Sequence, residues 1–486
     1  MNDTPFFPKF RARLAAMGVR LRETRKTVEA FTLAQLEVRF ASVVSANLFP
    51  KAIEADNSRE RIYTQERTFY GFLWQCLNRT TSCRNVVRQF QAVFKLHDGP
   101  PVSEEDGAYC RARKRLPLKV LREVLAATAK ASDRRAPRTE FLQGRRLKFV
   151  DGTCLTLADT PENRAPYPKA NSQNLDTGFP LMRLVVIFSL ASGAILSMLQ
   201  GNLHTAELRL FNLLLKTLEK GDIMIGDQGF GHFVALTLLQ QIGVDFIARS
   251  ARKVDGRQGK RLGHNDWLIP WKKGGNPSAI LTPEAWAKLP GEVTVRIVRG
   301  SLYQPGFRVR QITLVTTLLD PVRYPAKEIL QAYLRRWRLE MCLDDLKTTL
   351  GMETLRCKTP AMVEKEALMY LIAHNLIRWL MVQAVLKHDV DLERISFKGT
   401  IDSLREFSQA MAQARSGRKR QALWDELLRT LAADLLPVRP GRREPRAVKR
   451  QRNKYPPLTI PRDKFRDRPK RHDRRKKSRL RKQSLK

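Results

Sequence analysis

Between Arg145 and Ser250 the chain alternates short apolar runs with amphipathic stretches, an order that leaves few architectures open. RLKFVDGTCLTLAD alternates apolar and polar residues on either side of Asp151-Gly-Thr, which is the two-residue period of a strand. PLMRLVVIFSLASGAILSMLQG reads as two more strands with a turn near Ser192-Gly193. AELRLFNLLLKTLEKG follows as a helix, capped by Thr205 and ending at Gly221. DIMIGDQGFG is a short buried strand with Asp227 at its end, HFVALTLLQQIG a second helix and VDFIARS a further strand. Three strands followed by helix, strand, helix and strand predict a sheet of mixed direction flanked by helices.

The flanking segments differ in character. Residues 251–324 begin rich in Gly and basic residues and then hold two alternating strands within VTVRIVRGSLYQPGFRVRQITLVTTLL, a β-rich insertion. Helical patterns resume at Pro325 and fill Met362 to Leu386 and Ile401 to Leu436. Upstream, the chain is helical and basic, with helices expected over Lys9 to Phe31, Gln65 to Leu77 and Cys83 to Leu96. After Pro100-Pro101, Ser103 is placed to cap a helix carrying Arg111, Arg113, Lys114 and Arg115 beside Tyr109, a cluster that suits a DNA groove.

Charge narrows the partners. The chain carries 89 Lys and Arg against 48 Asp and Glu, a formal +41, which calls for a polyanion and first of all nucleic acid. A membrane is a weaker candidate, because no uninterrupted apolar run approaches the roughly 18 residues of a spanning helix. The most apolar late segment, Ala367 to Leu386, is interrupted by His374, Asn375 and Arg378. MNDTPFFPKFRARLAAMG lacks the pattern of a signal peptide, so a cytoplasmic location is expected. The six cysteines form no CxxC pair, which argues against a zinc module, and no GxxxxGK[ST] loop suggests an ATP-driven mechanism.

Two acids and one helix carry the chemistry. Asp151 lies inside an apolar strand and Asp227 ends another, and a carboxylate so placed needs a partner such as a metal ion. Hard oxygen ligands select Mg²⁺ or Mn²⁺, and a pair of such ions can activate water and stabilise a leaving oxygen. QAYLRRWRLEMCLDDLKTTLG, Gln331 to Gly351, reads as one amphipathic helix anchored by Leu339, Leu343, Leu346 and Leu350. Arg336, Glu340 and Lys347 lie three, seven and fourteen residues after Tyr333. At about 100° per residue they fall on one stripe with it, roughly 60°, 20° and 40° away on the same side. Asp344 lies close to this stripe, while His204 and Glu207 open an earlier helix, where capping and surface roles outweigh a role as outer groups of a site.

Asp151-Gly-Thr, Asp227-Gln-Gly-Phe and Tyr333-x2-Arg336-x3-Glu340-x6-Lys347 together resemble the DDE transposases of bacterial insertion sequences, in particular the IS-four family with its Y-R-E-K signature. Gln228 departs from the pattern, since the family often has Arg there. The resemblance implies an α/β chain with a ribonuclease H-like core interrupted by a β-rich insertion, helical N- and C-terminal regions and a disordered basic tail. It divides the chain into 1–140 (helical, binding DNA ends), 141–250 and 325–385 (core), 251–324 (insertion), 386–436 (helical) and 437–486 (tail). It implies cut-and-paste transposition, with Asp151, Asp227 and Glu340 holding two Mg²⁺ ions, for which Mn²⁺ can substitute. Tyr333, Arg336 and Lys347 would grip DNA, with Arg356 and Lys358 just beyond them. Trp267, Trp271 and Trp286 are candidates to stack on an unstacked base. The partners implied are double-stranded DNA, as transposon ends and target, and a second copy of the chain, in a bacterial cytoplasm and on the nucleoid.

The tail is testable by itself. Residues 437–486 hold 22 Lys and Arg against 4 Asp and Glu, a net of +18, with prolines and no apolar periodicity. Deleting Pro437–Lys486 is expected to flatten the salt dependence of DNA binding, measured as the slope of log K against log salt. An unchanged slope would show that those charges do not meet phosphate.

Overall fold

The computed structural model describes residues 40, 43–49, 62–79, 81–96, 98–137, 142–169, 178–250, 259–275, 280–301, 311–414 and 416–437. The helix expected over Lys9 to Phe31 and nearly all of the basic tail lie outside the described residues.

The strands are β1 (Leu147–Leu157), β2 (Leu181–Ser189), β3 (Ile195–Asn202), β4 (Ile223–Gly226), β5 (Asp245–Arg249), β6 (Lys260–Gly263), β7 (Asp266–Lys272), β8 (Glu292–Ser301), β9 (Gln311–Thr316) and β10 (Thr354–Leu355). All ten join one sheet in the order β3-β2-β1-β4-β5-β9-β8-β7-β6, with β10 pairing the far end of β1. β1, β2 and β3 form an antiparallel meander, whereas β4 and β5 run parallel to β1. Ile223, Met224 and Ile225 are all fully buried, as expected of a parallel strand covered on both faces. The insertion is continuous with this sheet. β9 pairs with β5 through Ile247↔Thr316, Ala248↔Val315 and Arg249↔Leu314, and β8, β7 and β6 extend it outward.

Alternation along each strand feeds two cores. Leu184, Val186 and Phe188 of β2 face the larger core, and Val185 and Ile187 the smaller one. The smaller core is closed by α5 (Glu207–Leu214) and α6 (Phe233–Gln241). The larger one holds α1 (Gln65–Leu77), α4 (Leu118–Arg135), α9 (Pro360–His388), α10 (Phe397–Gln413) and α11 (Gly417–Ala433). α2 (Cys83–Leu96) and α3 (Gly107–Arg115) build a third, small core around Tyr63, Phe90 and Tyr109.

α9 is the spine of the larger core. By length and composition it could cross a membrane, but 89% of its most apolar window is buried inside the protein. The polar residues that interrupt it have docking roles. Asn375 accepts the Ile195 N–H at 2.7 Å and donates to the Ile195 carbonyl at 2.9 Å, pairing the helix with the start of β3. Arg378 Nε donates to the Ser192 carbonyl at 2.9 Å, in a turn where Gly193 has φ +68°. A Cβ at Gly193 would meet that guanidinium.

Several local expectations are corrected. Gln331 to Gly351 is not one uniform helix: α7 (Ala326–Leu334) gives way to α8 (Trp337–Asp344) across a turn at Arg335–Arg336, and Asp345–Thr349 is a π turn. The Leu350 N–H reaches back five residues to the Asp345 carbonyl at 2.8 Å, which advances the later side chains around the axis. Thr205 does not cap α5, because its hydroxyl donates to Asn202 at 2.9 Å and the helix starts at Glu207 and ends at Leu214. The Ser103 hydroxyl accepts from Glu105 N–H, and α3 begins later, at Gly107. The stretch read as one helix from Ile401 to Leu436 is two, α10 and α11, divided where Ser416 caps the second through Lys419 N–H at 3.2 Å. Arg113 leaves the basic cluster altogether: it is buried, lies 4.0 Å over the Phe72 ring and donates to the thiols of Cys83 and Cys357.

One polar centre ties the insertion to the helices. Arg296 on β8 is fully buried, grips Asp266 with two hydrogen bonds of 2.8 and 2.6 Å and donates to the carbonyls of Leu318, Asp320 and Tyr324. Arg296→Met strands the Asp266 carboxylate and is expected to cost about 3–5 kcal/mol in urea unfolding. Adding Asp266→Leu should recover part of that loss. No recovery would mean that the arginine acts through the three carbonyls alone.

Candidate active site

The register of two parallel strands brings the first two acids together. β1 and β4 pair as Leu147↔Ile223, Lys148↔Met224 and Phe149↔Ile225. Continued two residues beyond the last pair, that register sets Asp227 beside Asp151. β4 ends at Gly226, so Asp227 turns away from the ladder there, and its Oδ1 accepts the N–H groups of Gly229 and Phe230 at 2.7 and 3.3 Å. Asp151 Oδ1 accepts the N–H of Gly152 at 2.8 Å. Each aspartate is thus held by a local backbone hydrogen bond and neither is neutralised by one.

α8 supplies the third acid and a cation. Glu340 accepts from Arg336 at 3.0 Å, an i,i+4 pair across the turn between α7 and α8. The same guanidinium lies 6.0 Å from the Tyr333 ring centroid. Burial pushes the Asp151 carboxyl up to about 6, with Asp227 and Glu207 adding to the rise and the Gly152 N–H and Arg336 opposing it. Burial also works against the charge of Arg336, but Tyr333, Glu340 and Asp151 more than offset it, so its pKa is raised. Burial raises the Tyr333 phenol, while Arg336 and Arg249 counter it and Asp227 adds to it. These mutual influences join Asp151, Asp227, Tyr333, Arg336 and Glu340 into one electrostatic unit, with Arg249 and Glu207 at its border.

The donor set fits a divalent ion. Three carboxylates supply hard oxygens, and the cation now among them is a guanidinium that could be exchanged for a metal. The three carboxylates do not all lie within 4.8 Å of one another, whereas Cys83, Asp106 and Cys110 in the N-terminal helices have their donor atoms within that spacing. There Arg113 already donates to Cys83 Sγ at 3.0 Å, which places a positive charge against any bound cation.

The remaining expected residues are spread out. Lys347 sits half-buried in the π turn and has no ion-pair partner among the described residues. Arg356 is exposed, but its guanidinium donates to the carbonyls of Arg79 and Thr81 and its N–H to Glu366. Lys358 is exposed. Asp344 points its carboxylate at the Thr348 hydroxyl, 2.6 Å away. His204 is exposed. Trp271 is buried in the smaller core, whereas Trp267 and Trp286 border that core with Arg299 and Lys273 against their rings. Sequence reasoning left out Arg249, at the end of β5, which acts electrostatically on Tyr333. The missing side chain of Gly152 leaves the space that the Glu207 carboxylate occupies. Trp337, beside Arg336, is 41% exposed and is another aromatic the sequence reading passed over.

Residues 142–376 match the transposase DDE domain family, a span that contains all three acids and the Y-R-E-K residues. The chain is 27% identical over 373 residues to transposase InsG for insertion sequence element IS4 of Escherichia coli (strain K12), covering 72% of this chain and 77% of the relative. A solved structure, the piggyBac transposase synaptic complex with hairpin DNA, superposes over 85% of both chains with 9% identity and a TM-score of 0.39. The domain match and the IS4 relative support a DDE transposase of the IS4 family, whose members are metal-dependent enzymes that cut DNA and transfer the cut ends.

Proposed function

We propose that the protein moves an insertion sequence by cut-and-paste transposition, with Asp151, Asp227 and Glu340 as ligands of two Mg²⁺ ions, in whose place Mn²⁺ can serve. The observation that carries this reading is the β1–β4 register, which sets Asp227 beside Asp151 while Arg336 brings Glu340 to the same charge centre. Bound ions would activate the attacking water or hydroxyl and stabilise the leaving oxygen. A water nicks the transposon end, and the freed 3′-hydroxyl attacks the opposite strand to leave a hairpin. A second water opens the hairpin, and the 3′-hydroxyl then attacks target DNA. Every step is phosphoryl transfer, and no protein nucleophile is needed.

The side chains have separable tasks. Arg336 exchanges Glu340 for a DNA phosphate more readily when a cation meets that carboxylate, which couples metal and DNA binding at this residue. Tyr333, buried beside it, orients the guanidinium, and Lys347 meets the backbone as a point charge. Arg356 and Lys358 extend that contact, although Arg356 must give up its carbonyl partners to do so. The strand and helix order supports a ribonuclease H-like core, with residues 1–140 binding transposon ends. Two ends must be joined, which favours a homodimer on DNA, acting in the bacterial cytoplasm at the nucleoid.

Protein incubated with end DNA, target plasmid and Mg²⁺ is expected to give joined products. Cleavage without joining would make it a nuclease on the same framework. Asp151→Ala and Glu340→Ala should abolish cleavage while leaving end binding largely intact, and normal cutting by both would overturn the metal assignment. Asp151 also gives a prediction in pH. Its folded pKa of about 6 lies above the ordinary carboxylate value of 3.8, so its charge is a burden on the fold at pH 8 and absent below pH 4. Asp151→Asn should therefore stabilise the metal-free protein by about 2–3 kcal/mol at pH 8, with the gain vanishing as pH falls from 6 to 4. Urea titrations at the two pH values measure this, and an equal gain at both would rule out the charge as its source.

A further inference from the structure

We infer that Arg249 is a phosphate-binding residue of the active site, meeting the reacting DNA strand from the sheet side while Arg336 meets it from the turn between α7 and α8. This rests on the assignment of Asp151, Asp227 and Glu340 proposed above. β4 and β5 pair in parallel as Ile225↔Ile247 and Gly226↔Ala248, so the next residues along the two chains are Asp227 and Arg249. Arg249 is the last residue of β5 and is still held in the sheet, opposite Leu314 of β9. Alternation fixes its face. Ile247 and Leu314 belong to the larger core, and Phe246 and Ala248 to the smaller one, so the Arg249 side chain leaves the sheet on the larger-core side. By the same rule Phe149 puts Asp151 on that side of β1, and Tyr333 is buried there. The turn after Asp227 takes the other side. A Cβ at Gly231 would lie 2.6 Å from the Arg249 carbonyl oxygen and 3.4 Å from Ala248 Cβ, so that turn closes on the end of β5 next to Ala248.

An exposed arginine by itself says little, but this one differs from the cations at the opposite end of the same strands. There Arg145 pairs with Asp245 at 2.6 Å and Lys148 with Asp222 at 2.6 Å. Arg249 is exposed, and its guanidinium makes no hydrogen bond or ion pair among the described residues. The neighbouring Asp227 turns its carboxylate to the N–H groups of Gly229 and Phe230 instead. Electrostatics place the pair at the site. Burial raises the Tyr333 phenol and Arg336 lowers it, while Asp227 and Arg249 act on it in opposite directions. The carboxyl ends of parallel strands are where open α/β sheets bind ligands, and a guanidinium with its donors open there suits a phosphate oxygen. During phosphoryl transfer negative charge is spread over the oxygens of the reacting group, and a cation fixed on a strand stabilises it without having to reorganise.

Full-length Arg249→Ala and Arg249→Lys test this, with folding checked by circular dichroism and Asp227→Asn as the reference. Mn²⁺ binding without DNA, with the free ion read by electron paramagnetic resonance, should be kept by both arginine variants and lost by Asp227→Asn. With end DNA and Mg²⁺, Arg249→Ala is expected to cleave about a hundredfold more slowly than the wild type. Its slope of log K against log salt for end DNA should shrink by about 0.9, the loss of one phosphate contact. Arg249→Lys should keep the slope and recover only part of the rate. Cleavage by Arg249→Ala at the wild-type rate, or slower cleavage with an unchanged slope, would overturn the phosphate contact. Loss of Mn²⁺ by Arg249→Ala would make the arginine a support for Asp227 and overturn it as well. If Asp227→Asn binds Mn²⁺ like the wild type, the three-acid reading itself fails.

Discussion

The parallel pairing of β1 with β4 is the constraint on which the rest of the site depends. Only three residue pairs make the ladder, but both strands are central and are covered by helices on either face. A slip of one residue would turn Val150 and Met224 into the wrong core, so burial on both faces holds the register. The aspartates inherit that precision. Asp227 stands where β4 stops, and its turn closes on its own carboxylate, so its position follows from the end of the strand and not from a flexible loop. Pairing of β9 with β5 continues the sheet beyond this point, and the buried Arg296 centre then locks the added strands to the segment that leads into α7.

Glu340 reaches the same place by a different route. α8 and the π turn bury Cys342, Leu346 and Leu350 in the larger core, and Glu340 pairs with Arg336, which also feels Asp151. α9 backs this arrangement and is itself docked on the β2–β3 turn by Asn375 and Arg378. The third acid is therefore positioned by the larger core, whereas the first two are positioned by backbone pairing.

Much of this was legible in the sequence, for reasons that particular residues make plain. The strands and helices from Arg145 to Ser250 follow from apolar period alone, and burial then forces their pairing. The helical spacing of Tyr333, Arg336 and Glu340 was legible although their helix is interrupted, because Arg336 still reaches the Tyr333 ring and the Glu340 carboxylate across the turn. The π turn was not legible, since a five-residue hydrogen bond depends on how Leu346 and Leu350 seat in the core. Arg113 was misread for the same kind of reason. Its partners, Phe72, Cys83 and Cys357, come from distant parts of the chain, and no local pattern distinguishes a buried arginine from a DNA-facing one.

The balance of charge at the site explains why an arginine sits among the acids at all. Asp151, Asp227 and Glu340 would repel one another if left bare, and burial of Asp151 already favours its neutral form. Arg336 stabilises the metal-free state by supplying a positive charge to Glu340 and, at longer range, to Asp151. A guanidinium is a weaker match for carboxylates than a divalent ion, because its single charge is delocalised and it must stay tethered to the turn before α8. Under the proposed function that weakness is useful. The arginine holds the acids in register without metal, and exchange for a divalent ion releases it toward phosphate at the moment the site becomes competent.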